Sequence, residues 1–329
     1  MYLQNYYMQN TPLGYDKDEI IITNMNNNIR KSRDAFASQV KSFSGIEEVT
    51  YAEMLLSSQD QYMGWGRKYR DKDIQFQCLP VEPSFLKVMN VKISEGRDFR
   101  EEDKAKRYGT FVFNERARTE YGLEIGSLID SMEIVGFMPD VKFASFRTEV
   151  TPMAFFVWGT NNWGNQPNYA YIKVKAGSDL RGAMQHVKTT LQSFDPEYPF
   201  NVRFFDEVLN GLYEKERSLS SLITLFSLIA IFISVVGVFG LVVFDSEYRK
   251  KEIGIRKVLG STTEEIIVMF NKTYIRILCV CFVLGAPIAG YVVHRWLENF
   301  AYKTPMYWWV YLIAFATVSY THLTLPTKL

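Results

Sequence analysis

Cysteine and histidine are scarce, with three of each among 329 residues. Cys78 stands alone in the first 217, so no disulfide can form within that region. Cys279 and Cys281 fall in an apolar run, where a thiol is a small apolar side chain. His186, His294 and His322 are too scattered to share a metal ion. The chain contains no G-x-x-x-x-G-K-[ST] phosphate cradle, no G-x-S-x-G elbow and no H-E-x-x-H pair. Acidic runs such as Glu101-Glu102-Asp103 read as solvated turns rather than acid/base pairs. No internal repeat or low-complexity tract is present. Net charge is nearly absent too, at +1 from 37 basic and 36 acidic residues. That balance excludes the global field that would draw in nucleic acid.

The balance is a sum of unlike parts. Met1 to Arg217 holds 27 Lys and Arg against 30 Asp and Glu, a difference of −3, and the remainder holds 10 against 6, a difference of +4. Ser218 to Phe244 carries no charge over 27 residues, more than the ~20 that cross a bilayer core as a helix. A second uncharged run, Ile277 to Val293, gains reach from Tyr274 and Ile275. Its Pro287 is tolerable in a bilayer, where packed neighbours satisfy the freed carbonyl. A third run opens at Met306 with the interfacial aromatics YWWVY and breaks off at Thr321. The predicted spans are therefore 218–244, 274–293 and a truncated 306–317. Residues 318–329, VSYTHLTLPTKL, resemble translated sequencing adapter and are set aside.

Basic residues near the spans fix a predicted topology. Asp245 to Arg276 contains Arg249, Lys250, Lys251, Arg256, Lys257, Lys272 and Arg276, whereas His294 to Pro305 contains only Arg295 and Lys303. The positive-inside rule puts the first connection in the cytoplasm. Residues 1–217 then lie outside, with Trp296, Phe300, Tyr302, Trp308 and Trp309 at the outer interface. The first twenty residues offer no signal peptide or span, so the expectation is a piece lacking an N-terminal transmembrane helix.

The outer region reads as α+β. Helical spacing marks Asn28 to Phe43, with Gly45 as its stop, and Ser178 to Ser193. Strand composition marks Glu48 to Met54, Ile74 to Leu79, Gly109 to Asn114, Met132 to Phe137, Met153 to Trp158, Ala170 to Val174 and Asn201 to Phe205. Asp206 can cap a helix that runs unbroken into the first span as a stiff lever.

The cytoplasmic connection, segment 245–273, stands out. Ile253, Ile255, Val258 and Leu259 are mixed with charges and bounded by Gly254 and Gly260, and Ser261 with Glu264 predicts a capped helix start. Anionic lipid is one occupant for such a basic stretch, at about 1 kcal/mol per basic residue. A protein groove suits Glu252 and the apolar set better.

The run KEIGIRKVLG, Lys251 to Gly260, resembles the signature of the MacB/FtsX-type permease family of ABC transporters. YMQNTPLGYDKDEI (Tyr7 to Ile20), EGRDF (Glu95 to Phe99), IVGFMPDVKF (Ile134 to Phe143) and LYEKERSL (Leu212 to Leu219) resemble its extracytoplasmic domain. The resemblance implies a MacB-like periplasmic core domain over 1–217, then an α-helical FtsX-like permease domain over 218–317. It further implies that Lys251, Glu252, Ile253, Gly254, Ile255, Arg256, Lys257, Val258, Leu259 and Gly260 dock on a separate ATPase. No cofactor is expected in this chain, since ATP and Mg would sit in that ATPase. Other implied partners are a second permease copy or homodimer partner and an extracytoplasmic protein. The implied location is the bacterial inner membrane, the large domain being periplasmic. The competing class is a membrane-anchored structural or sensory module that performs no ATP-driven work. The two glycines Gly237 and Gly240 suit either close helix contact or ordinary span composition.

Overall fold

The computed structural model describes residues 2–11, 13–57, 63–142, 148–161 and 166–324. Two compact units emerge, Asn10–Glu214 and the pair Met1–Gln9 with Lys215–Leu329.

The first unit is built on two sheets. The four-stranded sheet joins β1 (Ile20–Asn24), β2 (Ile46–Ala52), β10 (Tyr169–Val174) and β11 (Arg203–Phe204) in the order β11-β1-β10-β2. All its pairings are antiparallel. The larger sheet contains β3 (Met63–Tyr69), β4 (Lys72–Pro80), β5 (Glu95–Gly96), β6 (Thr110–Asn114), β7 (Leu128–Ile129), β8 (Met132–Met138) and β9 (Met153–Val157). Its order is β3-β4-β9-β6-β8-β5, with β7 beside β8.

Alternation along the strands sorts side chains into three cores. On β1, Ile21 faces one core while Ile20 and Ile22 face another. The Ile21 face packs with Ile29 of α2 (Asn27–Lys31), Phe36 and Val40 of α3 (Arg33–Lys41), and Ala183, Val187 and Leu191 of α6 (Leu180–Phe194). The opposite face shares a core with Phe155 and Val112 of the larger sheet, Phe85 of α4 (Phe85–Val88) and Phe205 of α7 (Phe205–Gly211). Phe111, Phe113 and Phe156 turn the other way, into a third core with Trp65 and with Ala117 of α5 (Glu115–Tyr121). Both faces of the larger sheet are thus covered, so all five residues of β6 are buried.

Caps set the helix starts. Asn114 Oδ1 accepts from the Ala117 amide at 3.1 Å and Asp179 Oδ1 from the Gly182 amide at 3.0 Å. Asn114 also accepts from the Met153 amide, tying α5 to β9.

Four sequence expectations change. The single helix over Asn28 to Phe43 is two, because Ser32 leaves helical geometry and its amide bonds back to Ile29; α3 ends at Lys41, before Gly45. Strand β11 is two residues long, shorter than Asn201 to Phe205. The lever from Asp206 is interrupted. Leu212 and Tyr213 take tighter three-residue hydrogen bonds to Leu209 and Asn210, and α8 (Glu214–Tyr248) starts afresh. Phe204, rather than Asp206, occupies the cap position of α7.

Gly109 has φ +84°, and a Cβ there would run into the Val157 carbonyl oxygen and lie 3.0 Å from the Gly159 amide. We expect Gly109→Ala to cost about 2 kcal/mol. Unfolding of the detergent-solubilised chain, followed by tryptophan fluorescence, checks this.

In the second unit the apolar stretches Arg217–Leu241 and Ile275–Leu297 are long enough to cross a membrane. They lie within α8 and α10 (Thr263–Leu297), and Pro287 sits inside α10 without ending it. A shorter apolar stretch, Trp308–Thr317, belongs to α11 (Trp308–Thr324). That helix continues through Thr324, past the 317 boundary read from sequence, and residues 325–329 lie outside the described residues. Helix α11 touches α10 through Phe282 and Phe315, ring centres 4.9 Å apart, and Tyr311 Oη would lie 3.0 Å from a Cβ at Gly290. Gly237 and Gly240 have no neighbour within that reach. Helix α1 (Tyr2–Asn10) joins this unit through its first residues.

Candidate functional site

Segment 251–260 forms a helix with its own start and stop. Helix α9 (Lys250–Val258) is set off from α8 by Arg249, whose φ of −96° and ψ of 10° depart from the helical pair. Its end is a Schellman turn. Gly260 adopts φ +96°, its amide bonds to Lys257 O, and the Ser261 amide reaches back to Arg256 O at 3.0 Å. Only glycine takes that left-handed conformation without strain.

Helix α10 then begins on a capping box. Thr262 Oγ1 accepts from the Glu265 amide at 3.3 Å and the Glu265 carboxylate accepts from the Thr262 amide at 3.0 Å. The cap falls one residue later than Ser261 and Glu264, the pair read from sequence. The Schellman turn uses Ser261 to close α9, which leaves Thr262 to open α10.

The faces of α9 are unequal. Glu252, Ile253 and Arg256 are half-buried, and Arg256 donates to Glu252 at 2.7 Å across one helical turn. Ile255, Val258 and Leu259 are exposed at 62%, 88% and 79%. Together with Lys251 and Gly254 they line a shallow depression. The helix therefore turns apolar side chains outward and its ion pair inward, the reverse of a helix packed on its own core. Ile253, grouped with the other apolar residues in the sequence reading, belongs to the inner face.

Other groups singled out in the sequence serve the scaffold. Asp103 is not a solvated turn residue; it is 1% exposed and accepts from Arg97, Lys106 and the Arg100 amide. His186 bonds Gln39 O at 3.0 Å and stacks on Phe43. Burial pushes the Cys78 thiol well up, away from the reactive thiolate. Among the described residues no three His, Cys, Asp or Glu gather as a metal site would require. A trough of about 530 Å³ on the first unit, bounded by Gly64, Gly66, Gln75, Gln77, Tyr121 and Thr151, has no charged side chain in its lining. The Glu53 carboxyl is raised by burial, a rise opposed by hydrogen bonds from Trp158 Nε1 at 2.6 Å and from the Gln166 amide.

Comparison with known proteins places both units. Residues 6–190 match the MacB-like periplasmic core domain and residues 224–321 the FtsX-like permease C-terminal domain. The macrolide export ATP-binding/permease protein MacB of Chromobacterium violaceum is 23% identical over 230 residues, covering 67% of this chain and 35% of that protein. MacB of Escherichia coli K12 is 23% identical over 233 residues with the same coverages. The chain thus spans about a third of the length of these curated relatives. The periplasmic region of MacB from Actinobacillus actinomycetemcomitans aligns at TM-score 0.43 and 14% identity, covering 60% of this chain and 94% of that one. The extracellular domain of the ABC-type transporter YknZ from Gram-positive bacteria aligns at TM-score 0.40 and 11% identity, covering 56% and 99%. With a periplasmic core domain matched over more than half its length and a permease domain behind it, the chain belongs to the MacB/FtsX-type permease family.

Proposed function

We propose that this chain is a permease subunit of an ABC transporter in a bacterial inner membrane, docking through α9 on a separate ATPase that binds ATP and Mg. The observation that carries this reading is the outward apolar face of Ile255, Val258 and Leu259 on a helix whose Glu252–Arg256 pair lies on the other side. Burying three such side chains in a groove is worth roughly 1.5–3 kcal/mol each. That gain is available only to a partner that supplies an apolar surface. The collection of basic residues between 249 and 276 supports a cytoplasmic position for α9. The unit Asn10–Glu214 would then be periplasmic and would move, for export or extraction, as the ATPase opens and closes. A second permease copy completes the assembly, and an extracytoplasmic protein is a further partner.

The competing reading, a passive anchor or sensor, gives no role to a helix with its apolar face outward. A photoreactive residue at Val258 separates the two in membranes that contain a co-expressed ABC ATPase. The expected product is a crosslink to the ATPase that disappears when unlabelled permease competes. Labelling of lipid alone would overturn docking.

A further inference from the structure

The second unit has little interior of its own. Among its described residues, four are buried: Gln4, Met8, Leu297 and Phe300. Two come from α1 and two from the end of α10 and the residues just after it. Elsewhere in this unit the residues whose burial is described are partly or fully exposed.

Gln4 is the polar member and is 1% exposed. Its Nε2 donates to Tyr302 O at 2.8 Å, and its Oε1 accepts from the Thr304 amide at 2.8 Å. One side chain thus bonds the carbonyl before Lys303 and the amide after it, the pattern of a residue pairing with a parallel strand. A buried carboxamide satisfied at both ends holds position and direction, and losing either partner leaves a buried polar group unmet.

We propose that Gln4 is a strap that makes α1 and the α10–α11 connection move as one body. The chain enters the other unit at the last residue of α1, between residues 9 and 10, and leaves it at 214, just past the interruption at Leu212–Tyr213. Movement of α10 and α11 therefore reaches the other unit through the strapped entry, while the exit carries a joint. The strap does not rest on the docking of an ATPase, and its test uses none.

The test measures distances in the full chain, reconstituted in lipid nanodiscs. Spin labels are placed by Tyr6→Cys and Lys303→Cys in a background without the three native cysteines. A narrow distribution is expected with Gln4, and one at least twice as broad with Gln4→Ala, with exchange at the Thr304 amide at least tenfold faster. Gln4→Glu provides the chemical control. An ionised carboxylate accepts from the Thr304 amide and cannot donate to Tyr302 O, whereas a protonated carboxyl does both. The Gln4→Glu distribution should be broad at neutral pH and narrow at acid pH, with no such change for Gln4 or Gln4→Ala. Equal widths in all three proteins, or a Gln4→Glu width that ignores pH, would overturn the strap.

Discussion

Ile255→Asp is expected to release the ATPase, weakening docking by about 3 kcal/mol, more than a hundredfold in Kd. The side chain is 62% exposed in the free chain, so aspartate costs the permease nothing in folding. In the docked state it would put a carboxylate where an apolar wall closes, and the neighbouring Lys251 offsets only part of that cost. Leu259→Asp should act alike. Glu252→Ala is the matched control, because it removes a half-exposed ion pair worth at most about 0.5 kcal/mol on the opposite face. Co-purification of the ATPase with each variant, against equal amounts of membrane-inserted permease, reads the difference. Equal ATPase recovery with Ile255→Asp and with Glu252→Ala would end the docking assignment.

Asp103→Ala is expected to destabilise the unit Asn10–Glu214 by about 3 kcal/mol. The carboxylate receives Arg97 through both oxygens at 2.8 Å, the Arg100 amide at 2.8 Å and Lys106 at 3.2 Å. Removal strands the Arg97 guanidinium, held above its ordinary value chiefly by its hydrogen bonds to Asp103. Burial pushes the Asp103 carboxyl up, but the Arg97, Arg100 and Lys106 donors outweigh it and hold the group below its ordinary range. A depressed folded value means that the stabilisation is complete above the unfolded value of about 3.9 and is lost as pH falls through the folded one. The gap between wild type and Asp103→Asn should accordingly be constant from pH 5 to 8 and narrow below about pH 4. Denaturant midpoints followed by tryptophan fluorescence across that range give the profile, and a gap that does not shrink at all as pH falls below 4 would contradict the linkage.

What the sequence revealed depended on contrast between neighbouring residues. Strands β6, β8, β9 and β10 were legible because β-branched and aromatic runs sit between glycine and charged turns. Strand β1 was missed; its Ile20-Ile21-Ile22 is buried on both faces and shows no alternation. Strand β3 was missed because Gly64 and Gly66 lower its strand propensity, and only its pairing with β4 defines it. Helix α5 is short and polar outside Ala117, so its start at Asn114 gave the one usable signal. The break at Leu212–Tyr213 was marked only by the preceding Gly211, since neither Leu212 nor Tyr213 opposes a helix. At the candidate site, the composition of Lys251 to Gly260 was legible, and the division into an inner Glu252–Arg256 face and an outer apolar face was not. That division depends on which side of α9 the neighbouring helices occupy. Gln4 was invisible for a related reason, because both its partners are backbone atoms some 300 residues away in sequence.

The lengths of α8 and α10 decide how far α9 stands from lipid. The apolar stretch in α8 ends at Leu241 while the helix runs on to Tyr248, and α10 starts at Thr263, ahead of its apolar stretch at Ile275. At 1.5 Å per residue these overhangs reach ~10 Å and ~18 Å beyond the apolar boundary. In the proposed topology such overhangs would hold Ile255, Val258 and Leu259 beyond the ends of the two apolar stretches. With α9 docking as proposed, the bilayer would set its height, and lengthening either overhang by one turn should move that height by ~5 Å.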